Sequence, residues 1–137
     1  MTDVPALPPF WSDGPPPIDE DEVRPTVDEV AILERTRTVD NFGNEFESFT
    51  DDTRPNTGEV DRLIDGVLDE VLGQLPDHAD PIWYPAIRRA VALRTATVIE
   101  TSFFREQAPQ TAAAWSVRFA ADLEALRSVI PTATLIA

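Results

Sequence analysis

The chain has 137 residues, a length typical of one domain, and its 25 acidic residues against 11 basic ones give a net charge of −14. The absence of cysteine excludes disulfides and metal sites built on thiolates. Charged residues interrupt the apolar runs before membrane length, and the first residues lack the basic and apolar regions of a signal peptide. We therefore expect a soluble intracellular protein with no membrane partner.

The charge is unevenly distributed along the chain. Residues 1–75 hold 19 acids and 5 arginines, whereas residues 76–137 hold six of each, so the first part carries the whole net charge. Such a surface repels phosphate backbones, which argues against binding in a nucleic-acid groove. It is compatible with a channel wall past which DNA slides without being held.

The first 24 residues combine six prolines, six acids and one aromatic pair, Phe10 and Trp11. Proline removes a backbone donor and fixes φ, so we expect no helix and no central strand there. One interpretation is a disordered tail. The other, which we favour, is an extended arm over residues 1–25 that Phe10 and Trp11 anchor on a partner.

The first helix is predicted to begin after Thr26, because Thr26 and Glu29 form the capping-box pattern. It should end between residues 35 and 38. Its short apolar face consists of Val27, Val30, Ala31 and, as a further candidate, Leu33. Phenylalanines then recur through residues 39–49 around a Gly-Asn pair, which predicts a small hairpin or a long loop.

Sequence signals for the start of a helix predict the next two helices. A turn over residues 50–55 leads to Asn56 and Glu59, a second capping pattern, and to a helix over 57–75 with apolar residues at every i, i+3, i+4 position. A helix over 81–105, apolar on most sides and therefore central, follows Asp80-Pro81. Pro85 can shift its start to Tyr84.

The last helix is predicted from residue 110 or 111 to Val129, between two prolines. Its apolar stripe consists of Trp115, Phe119, Leu123, Leu126 and Ile130. The fold class expected is thus mainly α: a small helical bundle over 26–130, with a hairpin or long loop between its first two helices and extended N- and C-terminal arms.

The uncharged C-terminal tail is either a frayed end or a strand that adds to the sheet edge of a partner. Its residues are Pro131, Thr132, Ala133, Thr134, Leu135, Ile136 and Ala137.

The sequence has few residues that could act in catalysis or bind a metal ion. The one histidine, His78, lies in an Asp-rich turn without a second group of ligands, so we interpret it as a solvated turn residue rather than a metal ligand. Asp51 and Asp52 are interpreted as turn residues. We expect no enzyme activity, no cofactor and no metal.

A row of acidic residues on the predicted helix over 57–75 suggests a contact between copies of the chain. Asp61, Asp65 and Asp69 are spaced i, i+4, i+8, opposite the apolar face. They could form a solvated face, line a channel, or meet arginines of a neighbouring subunit. The candidates are the arginines of the last two predicted helices, Arg88, Arg89, Arg94, Arg105, Arg118 and Arg127. Contacts between such unlike faces close into rings.

The order of several short stretches along the chain resembles that in a known protein family. The chain is similar to the head-to-tail connector, or adaptor, proteins of long-tailed phages that infect actinobacteria, over residues 25–107. The resemblance rests on Thr-Val-Asp-Glu-Val (26–30), Arg-Thr-Arg-Thr (35–38), Phe-Gly-Asn-Glu (42–45), Phe-Thr-Asp-Asp-Thr-Arg-Pro (49–55), Glu-Val-Asp-Arg-Leu-Ile-Asp (59–65), Arg-Arg-Ala-Val-Ala-Leu-Arg (88–94) and Ile-Glu-Thr-Ser-Phe-Phe-Arg-Glu-Gln (99–107).

The resemblance implies a structural protein of the virion neck, present in the host cytoplasm during assembly. It implies a ring, typically of twelve copies, beneath the portal protein and above a stopper or tail-terminator protein, with genomic DNA passing through without specific binding. It also implies that the C-terminal tail, residues 131–137, binds the portal. The alternative that the residues leave open is an acidic helical binding protein, such as an inhibitor that mimics the charge of DNA.

Overall fold

The computed structural model of the chain describes residues 15–34, 38, 42, 44, 46, 48–104 and 109–130. Over these residues it is a small helical bundle without β-strands, which confirms the predicted fold class. The helices are α1 (Glu20–Val23), α2 (Val27–Leu33), α3 (Thr57–Leu72), α4 (Tyr84–Phe103) and α5 (Pro109–Val129), with a 3-10 turn over Pro81–Trp83.

Helix α4 lies at the centre, as its apolar composition predicts, and packs against α1, α2, α3 and α5. One end of it contributes Ile87 and Val91 to a core cluster that includes Val71 of α3 and Leu123 of α5. The other end packs with α2 and with the start of α3. That second cluster consists of Val30, Ala31, Phe49, Val60, Ile64, Ala92, Ala96 and Ile99.

The predicted helix starts are confirmed by their hydrogen bonds. Thr26 and Glu29 form a complete capping box on α2, and Asn56 and Glu59 form another on α3. Asp80 accepts a hydrogen bond from Ile82 N–H, which caps the 3-10 turn. Because that turn takes up Pro81–Trp83, α4 begins at Tyr84 with Pro85 in its first turn, where proline costs no hydrogen bond.

The prediction that residues 1–24 contain no helix is wrong for their last part. Asp19 caps the one-turn helix α1, and Val23 is completely buried against the core. The preceding chain is held too, because Ile18 N–H donates to Asp77 O and Ala79 N–H donates to Pro16 O, both at 3.0 Å. The three prolines at positions 15–17 lie just before α1 and do not prevent a single helical turn after them. Phe10 and Trp11, and the tail 131–137, lie outside the described residues.

Between α2 and α3 the described residues form a loop. Phe46 N–H donates to Thr38 O at 2.7 Å, and the Thr38 hydroxyl donates back to Phe46 O, so these two residues close the segment 38–46. Residues 39–41, 43, 45 and 47 of the predicted hairpin or long loop lie outside the described residues. The three phenylalanines of this region differ in environment: Phe49 is buried in the core, Phe46 is at the surface, and Phe42 is 90% exposed.

The predicted turn over residues 50–55 is present and leads directly into α3. The hydroxyl of Thr53 accepts from Thr50 N–H at 2.9 Å and donates to Pro55 O at 2.8 Å. Asp51 and Asp52 are exposed on this turn, in agreement with their interpretation as turn residues.

Candidate functional site

The acidic row on α3 is partly neutralised within the same chain. Arg24, which follows α1, donates from Nε to Asp65 Oδ1 at 2.9 Å and from Nη2 to Asp61 Oδ1 at 3.4 Å and Asp61 O at 3.2 Å. Partial burial opposes the charge of Arg24, but the hydrogen bonds and charges of Asp65 and Asp61 outweigh it and raise its pKa. Of the three aspartates, only the Asp69 carboxylate has no ion-pair partner among the described residues.

Two of the three candidate arginines on α4 also have partners within the chain. Arg88 forms an ion pair with Glu29 of α2, with its Nε at 2.9 Å from both carboxylate oxygens. Arg94 lies 3.4 Å from Glu70 Oε1 and places its guanidinium 5.7 Å from the centre of the Phe119 ring. These contacts fix α4 against α2, α3 and α5, so Arg88 and Arg94 hold the bundle together.

Arg89, the third candidate, is exposed and makes no hydrogen bond or ion pair with a described residue. It lies between two cavities at the surface of α4 and α5, of about 280 and 330 Å³, and lines both of them. Arg118 and Asp122 of α5 also line both cavities, and their side chains approach only to 3.8 Å. We call the two cavities together the Arg89 groove.

The walls of the Arg89 groove are mainly apolar. One cavity has Trp83, Leu126 and Val129 in its wall, and the other has Ile32, Leu33 and Leu93. Glu29 adds a second carboxylate to the latter cavity, beside Asp122. Ile32 is 62% exposed, although it follows directly on the buried Val30 and Ala31. Together with the neighbouring Leu33, it forms an apolar patch edged by charged side chains, and binding surfaces have this composition.

Sequence reasoning found Arg89 and Arg118 as candidates for a contact between copies, but it missed Ile32 and Asp122, which line the same groove. A signal was present, because Ile32 and Leu33 extend the apolar run of α2 beyond the single face that a two-turn helix can bury. It also missed Arg24, whose partners lie 37 and 41 residues away in the sequence. No local spacing indicates such a pairing.

His78 lies in the predicted turn, but it is not simply solvated. Its ring is half-buried, and its Nδ1 lies 2.9 Å from Pro15 O, because the segment before α1 packs on this turn. Within the described part of the chain there is no group of three or more histidine, aspartate or glutamate residues that could hold a metal ion. In the same part, no helix has the length and apolar character needed to cross a membrane.

Comparison with models of protein families, with curated proteins and with solved structures found no match to this chain.

The Arg88–Glu29 pair predicts a specific response to acid. Hydrogen bonds from Arg88 lower the pKa of Glu29 below its ordinary value of 4.5, against an opposing effect of burial. The pair therefore stabilises the fold fully above that ordinary value, and the contribution is lost as the pH falls through the folded-state pKa. Because both side chains are about one-third exposed, solvent screening limits the contribution to about 0.5–1 kcal/mol.

Glu29→Gln tests this response, because Gln can serve at the same position of the capping box. At pH 7 we expect the free energy of unfolding of this variant in urea to be lower than that of the native chain, and we expect the difference to vanish in acid. The control makes the same change in an Arg88→Met background, where the pH dependence should be smaller, because only the hydrogen bonds between Glu29 and Thr26 remain. An equal difference at every pH would show that the ion pair is not its cause.

Proposed function

We propose that this chain is a structural head-to-tail adaptor of a phage neck. Copies of it form a ring beneath the portal protein, DNA passes through the ring, and the ring links the portal to the stopper or tail. The support is the resemblance over residues 25–107, together with a helical bundle whose exposed groove suits contact with another protein.

One observation carries this proposal: the Arg89 groove. Ile32 and Leu33, 62% and 36% exposed, form a small apolar patch beside two arginines. Charged rims around apolar centres are the usual composition of protein interfaces. The groove lies on α2, α4 and α5, while the acidic row lies on α3, so a single copy offers two chemically unlike surfaces. Contacts between unlike surfaces produce rings when the rotation closes.

The acidic surface supports the role of a channel wall. Asp69 is exposed on α3 and lacks an ion-pair partner in the described structure, whereas Asp61 and Asp65 share Arg24. Repeated around a ring, unneutralised carboxylates repel the DNA backbone and let the DNA move. We therefore assign Asp69, rather than Asp61 or Asp65, the principal part in such a lining.

The C-terminal tail is the proposed portal-binding element. Helix α5 ends at Val129, Ile130 is buried in the core, and residues 131–137 follow immediately. A chain that ends at Ile130 therefore keeps every described residue of the core, so portal binding can be tested with the bundle complete.

The test is copurification with the portal protein from phage-producing cells, with a tagged full chain beside a chain that lacks residues 131–137. We expect the full chain to retain the portal and the shortened chain to lose most of it, while both give the same helical circular dichroism. Failure of the full chain to bring down the portal, or its recovery with a nuclease or repressor instead, would favour the alternative of an acidic inhibitor that mimics DNA.

A further inference from the structure

The Arg89 groove begins where the described chain ends. Val129, the last residue of α5, lines the first of its two cavities and is 45% exposed. Ile130 follows with its side chain buried in the core and its N–H bonded to Leu126 O at 2.9 Å. The backbone is thus held beside the groove at residue 130, and the C-terminal tail, residues 131–137, starts from that point.

From this point the groove extends back along α5. The first cavity reaches Leu126 and Val129 near the end of the helix, whereas the second, of about 330 Å³, is lined on this helix by Arg118 and Asp122. The rise along the helix from Arg118 to Val129 is about 16 Å. The seven residues of the tail span about 23 Å when extended, so the tail is long enough to cross both cavities.

The lining of the groove favours an apolar occupant without charge. Apolar side chains are exposed at both of its ends, Val129 at one and Ile32 with Leu33 at the other. Of the described residues, four charged ones line the groove, two of each sign: Arg89, Arg118, Glu29 and Asp122. Because these charges balance in number, a charged occupant has no advantage over an uncharged one.

The C-terminal tail has this composition. It contains no charged side chain, and its large apolar residues are Leu135 and Ile136. Residues 1–14 also lie outside the described part of the chain, but they include two acids and join the bundle at the turn 77–79, which lines neither cavity. A segment attached beside the groove also has a higher effective concentration there than a second copy of the chain.

We propose that the C-terminal tail of the free chain folds back into the Arg89 groove of the same chain, so that Leu135 and Ile136 fill the cavity beside α2. This inference rests on the proposed function for its biological meaning, because the tail is also the proposed portal-binding element. The fold-back itself requires neither portal nor virion, so it can be tested on the isolated chain.

The fold-back couples the two contacts of the proposed function. While the tail occupies the groove, the tail is withheld from the portal and the apolar patch of Ile32 and Leu33 is covered. When the portal binds the tail, the groove is uncovered. It therefore becomes available to a neighbouring copy only after the portal has taken the tail.

The absence of cysteine allows a direct test. A full chain with Ile32→Cys and Ala137→Cys, which keeps Leu135 and Ile136, is oxidised mildly at low concentration, and its intramolecular disulfide is measured by mass spectrometry. The control chain carries Val117→Cys and Ala137→Cys. Val117 precedes Arg118 in α5 and is 72% exposed, but it lines neither cavity, so a tail that is not docked can reach it as well.

We expect the disulfide to form at least about tenfold faster in the Ile32→Cys chain than in the control, and we expect Leu135→Ser with Ile136→Ser to remove the difference, because these side chains supply the buried apolar surface. Equal rates in the two chains would show that the tail does not occupy the groove. Disulfides that form only between chains would assign the groove to a second copy. Faster linkage of Ile32→Cys to Ser12→Cys than to Ala137→Cys would assign it to residues 1–14. Each of these three results overturns the inference.

The oxidised chain separates this inference from the proposed function. With its tail held in the groove by the disulfide, it should fail to retain the portal protein in copurification, and reduction should restore the binding. A chain that forms the disulfide rapidly but never retains the portal, even when reduced, would contradict the proposed function alone. Equal rates of disulfide formation in a chain that retains the portal would contradict the fold-back alone.

Discussion

Ile99→Ala is expected to lower the free energy of unfolding by about 2–5 kcal/mol, the range measured when a buried Ile is truncated and the cavity only partly collapses. Ile99 lies on the central helix α4 with no exposed surface, and it packs in the cluster that joins α4 to α2 and α3. Urea unfolding followed by circular dichroism measures the change. The midpoint should fall while the slope stays the same, because the surface exposed on unfolding is nearly unchanged.

Ile82→Ala is the matched control, since it removes the same atoms from a position that is 69% exposed in the 3-10 turn. We expect its free energy of unfolding to remain within about 0.5 kcal/mol of the native value. Similar losses in both variants would show that α4 is not the packed centre of the bundle.

Val23→Asp is expected to cost about 3–5 kcal/mol, because it places an unpaired carboxylate where the native side chain has no exposure. This change lies in the Pro-rich first part of the chain, which the sequence predicts to be an arm separate from the bundle. In the structure, Val23 instead contacts the core formed by α3, α4 and α5. The same urea experiment measures the loss.

Glu22→Asp is the control for Val23→Asp, since Glu22 is the preceding residue of α1 and is exposed. It should change the free energy of unfolding by less than about 0.5 kcal/mol. If Val23→Asp changes the free energy of unfolding as little as Glu22→Asp does, the segment before residue 25 does not belong to the folded domain. The packing of α1 on the core is then refuted.

The elements that the sequence predicts well are those whose stability is decided locally. Thr26 with Glu29 and Asn56 with Glu59 satisfy the first backbone N–H groups of α2 and α3 by themselves, so the starts of both helices are readable from a few residues. The central position of α4 is also readable, because apolar residues on most of its sides require neighbours on most of its sides.

The features that the sequence does not reveal depend on contacts between distant residues. Arg24 joins the start of the bundle to α3 through Asp61 and Asp65. The Tyr84 hydroxyl donates a hydrogen bond to Pro17 O, 67 residues away in the sequence. The Arg89 groove likewise arises only when α2, α4 and α5 are brought together. Local propensity and spacing cannot specify such surfaces, because they follow from tertiary packing.

We propose that this chain works as a structural subunit whose exposed surfaces are completed by copies of itself and by the neck of a virion. Cryo-electron microscopy of particles from cells that produce the protein, averaged at the portal vertex, tests it most directly. We expect a ring of helical subunits beneath the portal, into which α3, α4 and α5 fit. Mature particles without this chain at the portal vertex would show that the proposed role in the neck is wrong.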